Sequence, residues 1–271
     1  MQPAQHRKMN ALRLLGDSLA PAVDLVYPPR CPCCGDGIER QEGLCLDCWQ
    51  GLVLLGEPSC ATCRRPIRNS GAEEGAVCAA CLADPPRHSG IYAATLYNDT
   101  SRRLVLAFKH GRRIALARMM AKLIQRRLPD PGGGCLLIPV PLHRRRLWVR
   151  GYNQAALLAQ ELGRIGAGVV AVDALRRTKA TPSLGGLGRK ARERALSGAI
   201  AIAPAWQQKI AGRDVLLVDD VVTSGATSER CTRVLLKAGA KSVRIASFTR
   251  VLSEIEWQAK TSMENETPEV R

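Results

Sequence analysis

Aromatic residues are scarce in this chain: two Phe, four Trp and four Tyr among 271 residues. A sequence-tolerant binder of single strands interleaves aromatic platforms with its basic residues. Here Trp148, Trp206 and Trp257 are scattered, so each is expected in packing or at the surface and not under a base. Long apolar runs are also missing. Val215–Val218 is representative, far short of the roughly 18 residues a membrane-spanning helix requires. Met1–Asn10 is polar, and Gly16 and Asp17 interrupt the apolar residues behind it before an export-type hydrophobic region can form, so the cytoplasm is the expected address. Acid is in deficit: 24 Asp+Glu against 40 Lys+Arg leave a formal charge of +16. That excess calls for acidic partners, either phosphorylated ligands or nucleic acid. The length suits one substantial domain with a smaller companion.

Cysteine, by contrast, is plentiful. Eight of the 11 cysteines form four Cys-x-x-Cys pairs, Cys31/Cys34, Cys45/Cys48, Cys60/Cys63 and Cys78/Cys81, while Cys33, Cys135 and Cys231 are left over. Two thiolates three residues apart on a tight knuckle can face one ion, and a second knuckle completes a tetrahedral zinc site. Ten residues separate the first two knuckles and 14 the last two, which makes pairing of neighbours simplest; interleaved pairing, first with third and second with fourth, stays open. Gly35 and Gly37 after the first knuckle and Pro66 after the third make the halves look like degenerate repeats. A four-thiolate site has no open coordination position, so the metal is expected to hold the fold and not to do chemistry. Cys33, inside the first knuckle, is not expected to be a ligand.

After Asp84–Gly90, rich in breakers, the pattern changes to alternating strands and helices. Ile91–Tyr97, Cys135–Val140, Ala199–Ala203, Val215–Val218 and Ser242–Thr249 read as strands. Ser101–His110, Arg113–Arg127, Asn153–Ile165 and Thr227–Ala238 read as helices. Such alternation predicts a parallel α/β sheet with helices on both faces.

The run Val215–Thr227, VLLVDDVVTSGAT, is the most informative in the chain. A buried strand leads into a small-residue turn that opens a helix, where backbone N–H groups and the helix dipole receive a phosphate. Thr223, Ser224 and Thr227 add hydroxyls, and Gly225 and Ala226 keep side chains out of the way. Asp219 and Asp220 would repel each other unless they met cations or sugar hydroxyls, so a phosphorylated sugar answers both features. The run resembles the signature of type I phosphoribosyltransferases, which bind 5-phosphoribosyl 1-pyrophosphate (PRPP) with Mg2+. That resemblance implies that Asp219 and Asp220 hold the ribose hydroxyls and that Thr223, Ser224, Gly225, Ala226 and Thr227 cradle the 5-phosphate. Thr223 stands where hypoxanthine-type enzymes carry an acid, which leaves no general base for a purine.

The cysteine segment, then Leu104–Gly111, Ile138–Pro141, Arg150–Ala155 and the PRPP signature, together resemble the ComF family, in which a double zinc ribbon precedes a type I phosphoribosyltransferase domain. The N-terminal extension (1–24) and the acidic tail (251–271), whose five glutamates against one lysine and one arginine predict disorder, fall outside the resemblance, which implies the ribbon (25–86) and the transferase domain (87–250). It implies structural Zn2+ on the eight paired cysteines and a pyrophosphate-facing loop beginning at Pro139-Val140-Pro141. Val140, Arg144, Arg150 and Lys109 then face the leaving group. The segment between Arg176 and Gly198 is similar to the flexible loop that closes over PRPP, with Arg177 as its closing charge; typical loops carry Gln where Leu184 stands and Asn where Ala195 stands. Some members are linked to competence, the handling of imported single-stranded DNA. The implied activity is displacement of pyrophosphate at ribose C1, with Asp219, Asp220, Arg177 and Lys109 as catalytic candidates. The alternative is a catalytically reduced accessory protein that binds PRPP and single-stranded DNA. For DNA the candidate face is Arg102, Arg103, Lys109, Arg112, Arg113, Arg118, Lys122, Arg126 and Arg127 on two consecutive helices.

Overall fold

The computed structural model describes residues 28–39, 43–67, 75–111, 113–129, 134–179 and 198–252. The N-terminal extension, most of the loop expected to close over ligand, and all but the start of the acidic tail lie outside these residues. The described chain through Gln50 is one compact unit, and that from Gly51 is another. The break falls between the two cysteine quartets.

In the first unit, α1 (Leu46–Gln50) follows the second knuckle. The second unit opens with the other quartet and α2 (Ala79–Ala83), then runs β1 (Ile91–Leu96), α3 (Asp99–His110), α4 (Leu116–Gln125), β2 (Leu136–Pro139), α5 (Arg144–Arg150), α6 (Gln154–Arg164), β3 (Val169–Val170), β4 (Leu175–Arg177), β5 (Ile200–Ile202), α7 (Gln207–Ile210), β6 (Asp214–Val222), α8 (Ala226–Lys237) and β7 (Ser242–Arg250). Five strands form one parallel sheet in the order β1-β7-β6-β2-β3. β1 and β2 are buried throughout, as expected of strands covered on both faces. α4 packs on β7 and β1, α6 on β6 and β2, and these two helices pack on each other. The other face belongs to α8: Val215 and Leu217 share an apolar cluster with its Cys231 and Leu235. Alternate strand residues face opposite ways, so Leu216 and Val218 serve the α4/α6 side.

Three features were not foreseen in the sequence pattern. β3 is only two residues long, with Val169 exposed, too short for a periodic signal. β4 and β5 pair antiparallel as a separate ribbon, its base tied by Thr178 N donating to Ala199 O at 2.9 Å. The arginine run 144–146, which reads as a basic loop, begins α5: the His143 imidazole accepts from Arg145 N, and Gly151 closes the helix in the left-handed region at φ 82°. α5 buries no residue, so it carries no apolar stripe from which a helix could be read.

The exposed edge of β1 is covered by residues 53–55. Leu55 N donates to Ala94 O at 3.0 Å and Leu96 N to Val53 O at 2.9 Å, which removes an open strand edge. The second quartet is fastened to the same sheet. Arg250 at the end of β7 is 6% exposed and donates from Nη1 to the Cys63 carbonyl at 2.7 Å. Arg250→Met keeps the bulk and deletes a buried charge-assisted bond, so the zinc-loaded protein should lose about 1.5–3 kcal/mol of stability. Denaturant unfolding measures it; an unchanged midpoint would mean the bond carries no net weight.

Candidate functional site

The cysteines gather as two quartets, each built from two knuckles consecutive in the sequence. The sulfurs of Cys31, Cys34, Cys45 and Cys48 lie within 4.8 Å of one another, as do those of Cys60, Cys63, Cys78 and Cys81. This excludes interleaved pairing, and Cys33 stands outside both sets. Zinc–sulfur bonds of about 2.3 Å put tetrahedral sulfurs nearly 3.8 Å apart. The Cys34–Cys45 and Cys63–Cys78 separations are 3.5 and 3.8 Å, so the donors fit that ion. The two knuckles are structural repeats. Cys31 N donates to Asp36 O, Gly35 N to Cys31 O and Ile38 N to Pro29 O, and 29 residues on Cys60 N donates to Arg65 O, Arg64 N to Cys60 O and Ile67 N to Pro58 O. Gly35 takes φ 90° and its counterpart Arg64 takes φ 59°, a strained position for a side chain. Arg64 lies 5.6 Å over the Tyr92 ring, a cation–π contact that offsets part of that strain. Burial raises the Cys31 and Cys60 thiols, but knuckle N–H groups outweigh it and bring both to about 6. These two knuckle positions thus favour the thiolate, whereas Cys48 and Cys81 of the same quartets are raised by burial and by their neighbouring cysteines.

The acid doublet sits inside β6, not at its end. The strand runs on to Val222 because Asp219 pairs with Ser247, and Val221 with Thr249, in β7. Two consecutive strand residues face opposite sides of the sheet. Asp220 is buried and meets Lys109 of α3, Nζ to Oδ2 at 2.7 Å. Asp219 is on the α8 side, where its charge acts on the Cys231 thiol and on Arg177 of β4. Burial and then the Asp220 charge push the Asp219 carboxyl well above its ordinary range, against the pull of Lys109. Beyond Val222 the chain turns through exposed Thr223 and Ser224 to Gly225 at φ 73°, the N-cap of α8. Gly225 has no side chain to cap the helix, so the first-turn N–H groups remain available to an anion. Ala226 and half-buried Thr227 begin that turn.

The candidate cations come from three elements and do not all converge. Lys109 and Arg150 share one cavity of about 430 Å3 with His110, Arg145 and Arg146. Arg144 lies in the wall of a different cavity, about 880 Å3, together with Arg176 and Arg177. Burial, and the charge of Arg146, lower the Arg177 guanidinium from its ordinary value. The Arg150–Gln154 segment is a positioning device that residue types alone do not disclose. Arg150 Nη1 donates to Gln154 Oε1 at 3.0 Å, Asn153 Nδ2 donates to the Val140 carbonyl at 3.1 Å while its Oδ1 caps α6, and the Tyr152 hydroxyl donates to the Phe108 carbonyl. That last bond fixes the turn of α3 that carries Lys109. Leu184 and Ala195 lie outside the described residues, and so does Arg112 of the basic face. Within that face Arg102, Arg103, Arg113, Lys122 and Arg126 are exposed, whereas Arg127 pairs with Glu57 at 3.5 Å.

Residues 22–82 match the double zinc ribbon domain, and residues 150–265 match the phosphoribosyl transferase domain. The DNA utilization protein YhgH of Shigella flexneri is 30% identical over 231 residues, spanning 78% of this chain and 98% of that protein. Competence protein F of Haemophilus influenzae is 28% identical over 233 residues, 82% and 96% of the two chains. Competence protein ComFC of Bacillus subtilis is 27% identical over 235 residues, 80% and 87%. A hypoxanthine phosphoribosyltransferase structure from Staphylococcus aureus, 12% identical, aligns over 52% of this chain and 73% of that one at a TM-score of 0.31. Two cysteine quartets ahead of a parallel sheet with a strand–acid–acid–turn–helix unit define a zinc-ribbon protein of the phosphoribosyltransferase class. The chain belongs to the ComF family.

Two outcomes test this geometry. Purified protein should hold about two zinc ions. Cys60→Ser with Cys63→Ser should remove one and lower the melting temperature by more than about 5 °C, because that quartet shares a unit with the sheet. Cys31→Ser with Cys34→Ser should remove the other with a smaller shift; metal analysis and calorimetry read both. The second outcome concerns Asp219. Its folded pKa lies above the unfolded value of about 3.9, so the stability tied to its proton is complete below that value and is lost as pH rises through the folded pKa. Asp219→Asn keeps the acceptor for the Asp220 N–H and removes the penalty. The variant should melt roughly 2–4 °C or more above the parent at pH 8, with the gap closing toward pH 4.

Proposed function

We propose that the chain binds Mg-PRPP and displaces pyrophosphate at ribose C1, within the cytoplasm, in support of DNA handling of the kind named for its competence relatives. The observation that carries the reading is the doublet Asp219-Asp220 followed by a left-handed glycine and an uncapped helix N-terminus. The turn Thr223–Thr227 would receive the 5-phosphate on backbone N–H groups and hydroxyls. Asp219 and Asp220 would accept from the two ribose hydroxyls, which fixes the ring and places C1 toward α5. Burial and then the Asp220 charge raise the Asp219 carboxyl, and that mismatch suits a cation or a diol at the same place. Bound Mg2+ would neutralise phosphate oxygens as the leaving group gains charge. As the acceptor bonds to C1, the C1–oxygen bond would break with its electron pair leaving on pyrophosphate, whose charge Lys109 and Arg150, lining one cavity, would meet. Arg177, held in β4 opposite Ile200, would add its charge on the Asp219 side of the ligand.

A second reading, the accessory protein that binds PRPP and single-stranded DNA with little turnover, is favoured by the exposed arginines of α3 and α4 and by Trp148, 90% exposed on basic α5. Calorimetry with PRPP and Mg2+ tests the site, and pyrophosphate release in the presence of acceptors separates the two readings. PRPP should bind, and Asp219→Ala with Asp220→Ala should weaken it about 100-fold, the equivalent of roughly 2.7 kcal/mol. Unchanged affinity in the double variant would remove the doublet from the site. Binding without any acceptor-dependent release would favour the accessory role.

A further inference from the structure

We propose that the cleft between α5, the start of α6 and β4 is the acceptor site, and that the acceptor is a small ring compound bearing a carboxylate. This rests on the phosphoribosyl-transfer reading and names its substrate class.

α5 stands between two cavities. The smaller one contains Lys109, Arg145, Arg146 and Arg150 and is tied to Asp220 through the 2.7 Å Lys109 pair. Its cations suit a leaving group with several negative charges. The larger one, about 880 Å3, is tied to the other acid, because Arg177 in its wall feels the charge of Asp219. Asp219 and Asp220 face opposite sides of the sheet, so a ribose held by both acids would be approached from one cavity on the Lys109 side and from the other on the Arg177 side. Displacement at one carbon has the same requirement, since the entering and leaving groups occupy different faces of C1.

The lining of the larger cavity sets the chemistry. Arg144, Arg176 and Arg177 contribute three guanidiniums, and no described lining residue is a carboxylate. A protonated amine would be repelled there, and a neutral base would make no use of that charge; a planar carboxylate matches the guanidinium fork geometry. Leu142, Leu147 and Val172 supply an apolar surface for a ring, and His143, Asn153, Gln160 and Thr178 place polar groups beside it, a mixed lining that suits a small ring compound better than a second polyphosphate. In the transfer a ring nitrogen forms the bond to C1 as the C1–oxygen bond breaks and pyrophosphate takes the electron pair. A pyridine-type nitrogen has no proton to lose, and a ring N–H would release its proton to water or to pyrophosphate. Neither case requires a carboxylate base in the cleft.

The test uses the full-length, zinc-loaded chain and two matched pairs of probes, nicotinate with nicotinamide and orotate with uracil. Equilibrium binding is measured without PRPP, and pyrophosphate release with Mg-PRPP. The acid of at least one pair should bind about tenfold more tightly than its neutral partner and should drive release. Arg176→Gln should cost that acid about tenfold in affinity and leave PRPP affinity within twofold. Val172→Glu, at an exposed position, should weaken the acid further by adding a like charge. Neutral probes binding as well as the acids, no binding by either member of either pair, or an acid preference that survives both variants would each overturn the proposal. Failure of PRPP to bind would instead remove the phosphoribosyl reading, while the acid-against-neutral comparison, which needs no PRPP, still decides the cleft.

Discussion

Two carboxylates on consecutive residues of a buried parallel strand set the terms for everything near them. Their like charges repel more strongly in the protein interior than in water, and burial adds its own cost at Asp219. The fold relieves this by geometry and by cations. Strand alternation sends Asp219 and Asp220 to opposite faces. Lys109 is delivered to Asp220 from α3, whose last turn is fixed by Tyr152, and Arg177 is delivered toward Asp219 from β4. The relief is incomplete on the Asp219 side, where the carboxyl stays raised. Local destabilisation of this kind is retained at binding sites because the ligand removes it.

The zinc ribbons answer a different shortage. A chain with so few aromatic side chains builds its sheet core from Val, Leu, Ile and Ala, and its cysteine-rich segment has almost no apolar mass of its own. Metal coordination takes the place of a core there. Four thiolates on one divalent ion carry net negative charge, and Arg250 lies close enough to Cys63 for its charge to favour the thiolate. The end of strand β7 therefore brings compensating charge to a cysteine quartet that lies distant from it in sequence. This explains why the second quartet belongs to the same compact unit as the sheet, while the first is grouped with the chain before Gly51.

Much of this was legible in the residue pattern, and the exceptions have physical causes. The eight paired cysteines, the parallel α/β alternation and the strand–turn–helix of Val215–Thr227 are local signals, each carried by spacing within a few residues. Neighbour pairing of the knuckles was only the simpler of two choices until the sulfurs were placed. The doublet read as a strand end because Asp219 and Asp220 break an apolar run; β7 pairing extends the strand past them, which no local rule foretells. α5 was hidden because a helix that buries nothing has no stripe. The separation of Arg144 from Lys109 and Arg150 depends on which way that hidden helix faces, so the positions of nearby basic residues in the chain could not divide them.

The surplus of positive charge has at least three distinct uses, and only one of them is long-range. Lys109 and Arg177 address the doublet, and Arg250 addresses the metal site; these are short-range and partly buried, so salt screens them weakly. Arg102, Arg103 and Lys122 are exposed on α3 and α4, and Arg113 and Arg126 are exposed just outside these helices, where screening beyond about 8–10 Å is strong. A net charge of +16 on 271 residues thus gives a field that draws polyanions toward the molecule, while the arginines lining the two cavities beside α5 act at short range on whatever enters them. Raising ionic strength should therefore slow encounter with any anionic partner well before it changes which ring compound the inner cleft prefers, because the first depends on summed surface charge and the second on guanidiniums held in place by β4 and α5.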